Sequence, residues 1–365
     1  MSAETFLHNL YKAFMIERRM PDKLKRVVWQ IKFFVTLKAF RFKRMLRTVV
    51  ELYNLGHIRS AKFLSYSTWN YVFLVETEHN TFVVSFQNIQ MMNDSNHHFH
   101  ERLFALLNYL HHSEDFPYQT PLPIKNQDSE YTAQLHGYQI RVNTLIRGDT
   151  VVNVNDLYIQ ELGRALASYH HVIARFPSVE NPNREFQKRI KYDYDGSFQV
   201  ESIIERLRAL QIGTQLFQKI QPFLIARLRQ VQGVTFHEHP LFVHHDFGFQ
   251  NVLFRENRLV GIYDFENVHF VPRIFDIVNA MILGDFYTFP KGYAFLQKLS
   301  LFLTAYHELC PLSEREKEFL IPVFLIKYAK TIVDPPLTSH TQIRMRMIHD
   351  IMKNQQNIEN FLVEL

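Results

Sequence analysis

The segment Phe242-Val243-His244-His245-Asp246-Phe247-Gly248-Phe249-Gln250-Asn251, with Asp264 thirteen positions beyond it, has the residue types and spacing of a metal-assisted phosphoryl-transfer site. Moving a γ-phosphoryl group needs an acceptor hydroxyl held in line and divalent cations that bridge the phosphate oxygens. Mg2+ takes hard oxygen ligands, usually one or two side chains supplemented by phosphates and water. Asp246 offers a carboxylate to orient the acceptor and take its proton, while Asn251 and Asp264 offer an amide oxygen and a carboxylate to the metal. A lone His-x-Asp is ordinary loop chemistry. His-x-Asp, a spaced Asn, a hairpin and a second Asp in this order point to function.

The flanking pattern frames these three side chains. Leu241-Phe242-Val243 reads as a short apolar strand, residues 252–255 as a second strand, Glu256-Asn257-Arg258 as a turn and residues 259–263 as the antiparallel return. Asp246 and Asn251 then lie on the loop before the hairpin and Asp264 just after it, so all three can converge at one end of the sheet. Upstream, residues 71–75 and 81–86 flank the turn-like Glu78-His79-Asn80, and residues 131–135 and 138–146 join through His136-Gly137, giving two hairpins. Between them, Leu103, Leu106, Leu107 and Leu110 recur at helical spacing over residues 99–111.

The His-x-Asp loop, Asn251 and Asp264 resemble the catalytic and metal loops of the aminoglycoside phosphotransferase-like family, which includes choline kinase, small-molecule hydroxyl kinases and spore-coat kinase homologues. The resemblance spans about residues 60–330. It implies an α+β, bilobal protein-kinase-like fold, with a small antiparallel-sheet N-terminal lobe over residues 56–147 and a mainly helical C-terminal lobe over 148–365. It also implies an ATP-dependent, Mg2+-requiring phosphotransferase whose partner is a small-molecule hydroxyl acceptor. In that scheme Asp246 is the catalytic aspartate, Asn251 and Asp264 are Mg2+ ligands, His244 braces the loop and Asp276 ties down its backbone. Taken without the resemblance, Asp276 reads equally well as a helix-capping or surface residue.

Placed on the same pattern, Ser65-Tyr66-Ser67-Thr68-Trp69-Asn70 covers the nucleotide phosphates, with Ser67 and Asn70 as contacts. Glu101 is the glutamate of the small-lobe helix, and Thr144 and Leu145 lie near the base in the linker between lobes. Two departures stand out. The phosphate loop has no glycine to let backbone amides approach. The strand position where relatives carry a lysine or arginine falls on Ser85, and a hydroxyl does not replace a cation facing polyphosphate. Lys62 or Arg141 substitutes, or the register is shifted, or nucleotide binding is weakened. The alternative function is therefore a pseudokinase-like binding protein with weak or no catalysis.

Leu162-Gly163-Arg164-Ala165-Leu166-Ala167-Ser168-Tyr169-His170, within a helix expected over residues 157–176, resembles the family's Leu-Gly-x-x-Leu-Ala-x-x-His segment and reads as close helix packing. Residues 177–240 are less patterned, with helical stretches around 203–210 and 215–231. Near the end, Ser313 and Glu316 are spaced as a capping box before a helix over 314–329, in a pattern similar to the homoserine-kinase and spore-coat branches.

Residues 1–55 form a basic extension. Residues 1–47 hold twelve lysines and arginines against three acids, a net of +9 in a chain whose total is +5. Leu24, Val28, Ile31 and Val35 follow Pro21 at helical spacing, with Trp29, Phe33, Phe34 and Phe40 adding bulk. Such a helix braces the small lobe, or contacts an anionic membrane surface or a protein partner, with nucleic acid the least favoured. Of 365 residues, 47% are hydrophobic, enough for a large core, and Cys310 is the only cysteine, which excludes a disulfide within the chain. No uncharged apolar run reaches about 18 residues and the N-terminus lacks a signal peptide's order of parts, so the expected location is cytoplasmic, with peripheral membrane contact through the extension. The clusters His97-His98-Phe99-His100, His111-His112 and His170-His171 lack zinc-site partners and read as surface or packing residues.

Overall fold

A computed structural model of the chain describes residues 37–66, 70–89, 96–151, 154–177, 200–283 except 233, 235 and 237, 295–333 and 339–365. The chain forms two compact units, one comprising Met1–Asp94 with Leu122–Leu145 and the other Ser95–Pro121 with Ile146–Leu365.

The first unit is built on strands β1 (Ile58–Tyr66), β2 (Asn70–Thr77), β3 (Thr81–Asn88), β4 (Thr132–Leu135) and β5 (Tyr138–Thr144), antiparallel in the order β1-β2-β3-β5-β4. Both expected hairpins are present. Thr77 Oγ1 accepts from the His79 and Asn80 amides to close the first turn. His136 and Gly137 carry φ of 50° and 84° in the second, where a two-residue turn of that hand matches the right-handed strand twist.

Helix α1 (Leu37–Leu52) covers one face of this sheet. Phe42, Met45, Leu46, Val49 and Val50 recur at three- and four-residue spacing and are buried with Phe63, Phe73, Val75, Val84, Phe86, Ile140 and Val142. The Phe42 ring lies 5.3 Å from that of Phe73 and 5.1 Å from that of Phe86. Each such side chain contributes about 1.5–3 kcal/mol on burial. Lys43, Arg44 and Arg47 occupy the exposed side of the helix. Part of the basic extension is thus a brace on the sheet, while the stripe at Leu24, Val28, Ile31 and Val35 lies outside the described residues.

In the second unit, α2 (Asn96–His112) buries Leu103, Leu106, Leu107 and Leu110 in the large core around α3 (Asp156–Ile173). Chain order alone assigned this helix to the small lobe, but its leucine stripe groups it with the helical unit. Alongside lie α4 (Val200–Ala209) and α5 (Gln215–Gln230), strands β6 (Pro240–Val243), β7 (Val252–Arg255), β8 (Arg258–Ile262) and β9 (His269–Pro272), and helices α6 (Ile274–Leu283), α7 (Phe295–His307), α8 (Glu314–Val333), α9 (Ser339–Lys353) and α10 (Gln355–Glu364). β6 pairs antiparallel with β9, and β7 with β8.

Helices α3 and α7 approach closely because Gly163 has no side chain. A Cβ there would sit 2.3 Å from the Phe302 carbonyl oxygen. The Ser313–Glu316 capping box forms reciprocally: Glu316 N–H donates to Ser313 Oγ at 3.1 Å and Ser313 N–H to Glu316 Oε2 at 2.8 Å. The same carboxylate takes two 2.7 Å bonds from Arg273 Nε and Nη2, tying the start of α6 to the start of α8 through a buried ion pair. No helix among the described residues is long and apolar enough to cross a membrane.

Candidate active site

The end of β6 and the ends of the β7–β8 hairpin build the site within the second unit. The sequence after Val243 turns sharply, with His245 at φ 64°, so the chain leaves β6 without continuing a strand. Residues Phe249–Asn251 then make one 3-10 turn that leads directly into β7. In the hairpin, Val252 pairs with Ile262, and Glu256 and Asn257 take positive φ at the tip. Asn251 and Tyr263 therefore flank the same end of the ribbon, and the Tyr263 N–H donates to Asn251 O at 3.0 Å. Asp264, the next residue, adopts the left-handed conformation (φ 63°, ψ 55°) and is exposed. Such a conformation costs an aspartate less than most residues, because its short polar side chain bonds locally.

Asp246 and Asn251 are in direct contact. Asn251 Nδ2 donates to the Asp246 backbone oxygen at 2.8 Å and to its Oδ2 at 2.9 Å. These bonds use the amide nitrogen and orient the buried Asn251, leaving its carbonyl oxygen as a hard donor. With the Asp264 carboxylate this is an all-oxygen pair suited to a Mg2+ ion that also takes phosphate oxygens and water. The residues present fit the metal.

His244 is fully buried beneath the loop. Its Nε2 lies 3.0 Å from Tyr263 O and its Nδ1 accepts the Asp246 N–H at 3.3 Å, so the ring ties the loop after β6 to the residue before Asp264. It packs on Phe265, 4.6 Å between ring centroids, and burial holds it below the usual imidazole range.

Asp276, on the first turn of α6, is also fully buried. Its Oδ2 accepts the His244 N–H and its Oδ1 the His245 N–H, both at 2.8 Å. Burial, the largest influence, favours the neutral acid, but the His170 hydrogen bond, the nearby imidazoles and the His244 amide outweigh it and hold the carboxyl below its ordinary value. Residue types alone left a helix cap open. Apart from Asn279 the rest of the α6 run is apolar, and a buried carboxylate there needs donors.

Three supports were not read from the sequence. Asn279 Nδ2 donates to His245 O at 2.9 Å, and Lys327 of α8 bonds in turn to Asn279 Oδ1. Tyr169 OH donates to Phe242 O at 2.6 Å. His170 lies 3.1 Å from Asp276. The available signal was Asp276 and Asn279 standing three apart, hence on one face, in the otherwise apolar Ile274-Phe275-Asp276-Ile277-Val278-Asn279.

The residues expected at the nucleotide are divided between the units. Glu101 is exposed on α2 of the second unit. In the first, Asn70 opens β2 opposite Gln87, and among the described residues its Oδ1 is shielded without a hydrogen-bond partner. Ser67 lies outside the described residues. Ser85 is buried on β3 directly across from Arg141 of β5, on the sheet face opposite α1, and Arg141 Nη2 donates to Gln87 Oε1 at 3.3 Å. Lys62 pairs with Leu74, which pairs with Val83, so it is two strands away from β3 residues. Thr144 N–H donates to Leu122 O at 2.9 Å and its Oγ1 accepts the Leu122 N–H at 3.1 Å, while Leu145 is half-buried.

Comparison with known proteins bears on the fold and the family. No curated protein sequence matches the chain. Among solved structures, an amicoumacin kinase in complex with AMP-PNP, Ca2+ and Ami superposes with TM-score 0.58 at 13% identity, covering 88% of this chain and 97% of that one. An aminoglycoside phosphotransferase from Alicyclobacillus acidocaldarius gives 0.56 at 10% identity, with coverage of 87% and 94%. A microcompartment-associated aminopropanol kinase gives 0.53 at 12% identity, with coverage of 86% and 98%. These likenesses establish an α+β fold of the protein-kinase-like type. Residues 61–312, most of the chain, match the model of the phosphotransferase enzyme family, and the chain belongs to that family.

Proposed function

We propose that the chain transfers the γ-phosphoryl group of ATP to a hydroxyl of a small molecule, with Asp246 orienting the acceptor and taking its proton. The observation that carries this reading is the Asn251 amide bound to both Asp246 oxygens, backbone and side chain, at the end of the ribbon that also presents Asp264. Asn251 Oδ1 and the Asp264 carboxylate would hold Mg2+, which supplies charge neutralisation at the phosphate oxygens. His244 and Asp276 keep the loop in shape, so that Asp246 stays placed for in-line transfer. Ser67, Asn70, Ser85, Thr144 and Leu145 are assigned to the nucleotide, with Glu101 as helix glutamate. Arg141, across from Ser85, is assigned the cationic role that Ser85 does not fill.

The test is calorimetric and catalytic. Mg2+ with ATP should raise the melting temperature, Asp264→Ala should reduce that shift, and a screen of sugars, amino alcohols and aminoglycosides should find a phosphorylated product. The Ser85 departure favours one second reading, a pseudokinase-like binding protein with weak or no catalysis. Folded protein that forms no product from any hydroxyl would select it, and no melting response to nucleotide or metal would sink the enzyme reading. Beside the bracing role of α1, the basic residues of 1–47 are assigned to an anionic membrane surface or a protein partner, the first of which would hold a cytoplasmic protein at the bilayer periphery. Co-sedimentation with anionic but not neutral vesicles checks this.

A further inference from the structure

We propose a second ligand site within the helical unit, a cavity that takes an amine with an apolar body; it goes beyond the phosphotransfer reading and does not depend on it. Helices α5, α8, α9 and α10 surround about 540 Å³, within the range of roughly 300–1,000 Å³ that holds one small organic molecule. Ile321 and Pro322 of α8, Ile351 of α9, and Ile358 and Leu362 of α10 form its buried apolar floor. The half-buried rings of Phe223 and Phe319 also line it. The cavity is separate from the loop after β6. Lys317 lines it and Lys327 bonds Asn279, and these two lysines stand ten residues apart on α8, roughly 15 Å of helix.

The polar groups of the lining decide what the cavity holds. Arg227 and Lys317 are its cations and Glu314, Glu318 and Glu359 its carboxylates, a net of −1. Arg227 donates to Glu359, which also accepts Gln355 Nε2 at 3.1 Å, and the guanidinium lies 5.9 Å from the Phe223 ring centroid. Lys317 Nζ donates to Glu314 Oε1 at 3.0 Å. Both cations are thus paired within the lining, and Glu318 is the carboxylate left without a cation among the described residues. The same residue carries a second open acceptor. Pro322 has no N–H, so the Glu318 carbonyl four residues earlier lacks its helical donor. An ammonium, with three N–H donors and no acceptor, suits a carboxylate and a bare carbonyl, while an apolar body covers the floor. A carboxylate ligand would meet Glu318 and find both cations already paired, so charge complementarity selects the amine.

Titration calorimetry of the full chain, without nucleotide or acceptor, tests the site with probes that share one skeleton: phenylbutylamine, phenylbutanol and phenylbutyrate. The amine should bind at least about tenfold more tightly than the alcohol, the range of one charge-assisted hydrogen bond, and the acid should not bind. Glu318→Gln, at an exposed residue, should leave the melting temperature unchanged and remove the amine's advantage over the alcohol. Methyl spectra should show shifts at Ile321, Ile351, Ile358 and Leu362 on adding the amine, with Ile140 of the first unit unmoved. Equal binding of amine and acid, a preference that survives Glu318→Gln, shifts confined to other methyls, or no binding of any probe would each overturn the proposal. So would a dimer in sedimentation equilibrium that the amine leaves intact and that Val363→Asp, at a lining side chain 78% exposed, dissociates, since the cavity would then be an interface between copies. Phosphotransfer is not read in any arm, so failure of the proposed function leaves this outcome standing.

Discussion

At the scale of residues, Asn251 gives its amide nitrogen to both the backbone and a side-chain oxygen of Asp246, which in the proposed function leaves its own oxygen for the metal. Asp246→Asn should lower kcat by about 10²–10⁴-fold with unchanged nucleotide affinity and melting temperature, the pattern of a lost acid–base group in an intact fold. The charge that Ser85 lacks is present one strand over, since Arg141 is its direct cross-strand neighbour. Arg141→Ser should weaken ATP binding at least about tenfold, the range of one charge-assisted hydrogen bond, and adding Ser85→Arg should recover it, as read by titration calorimetry. That Asp246 and Asn251 share the loop before the hairpin and that Asp264 follows it was legible, because these positions are set by order along the chain. Asn279 and His170 were not, since nothing in their local sequence says which distant atom each will meet.

At the scale of elements, hydrophobic period and turn chemistry placed the hairpins, the helices and the capping box. These depend on neighbours along the chain, so they were legible. Strand β9 was not expected: four residues, His269–Pro272, carry too little alternation to announce a partner, and β6 supplies it only in the fold. The leucine stripe of α2 was visible, but the core it joins was not, because an amphipathic face names no particular partner. Gly163 shows the same division. Its role in close packing was readable, and the contact it permits, the Phe302 carbonyl, belongs to tertiary structure. Gly163→Ala should destabilise by about 1–3 kcal/mol, as the overpacked helices move apart. A lower urea midpoint at unchanged slope checks it.

At the scale of the whole molecule, two buried imidazoles set an acid limit. His170 and His244 are held below the ordinary value of 6.5, burial being the main cause in each. Below that value the unfolded chain takes up protons that the folded chain refuses, so stability present near pH 7 should fall as the pH drops. The slope approaches roughly 2–3 kcal/mol per pH unit for the two together. Asp276 works in a lower window: its carboxyl is depressed, so its contribution is present above the ordinary 3.8 and is lost as pH falls through its folded value. Denaturant titrations from pH 7 to 5 should show the histidine slope, and His170→Gln should flatten it. The extension is constrained at the same scale. Truncation to residue 47 removes Phe42, Met45 and Leu46 from the first unit's core and should lower its melting temperature, as read by calorimetry. By itself, the sequence determined the order of chemical groups, the periodicities and the charge of the extension, because each is written in spacing along the chain. Which buried groups hold the loop after β6, which cation faces Ser85 and which core receives α2 were decided only by tertiary structure, because those partners lie tens of residues or more apart and meet only through packing.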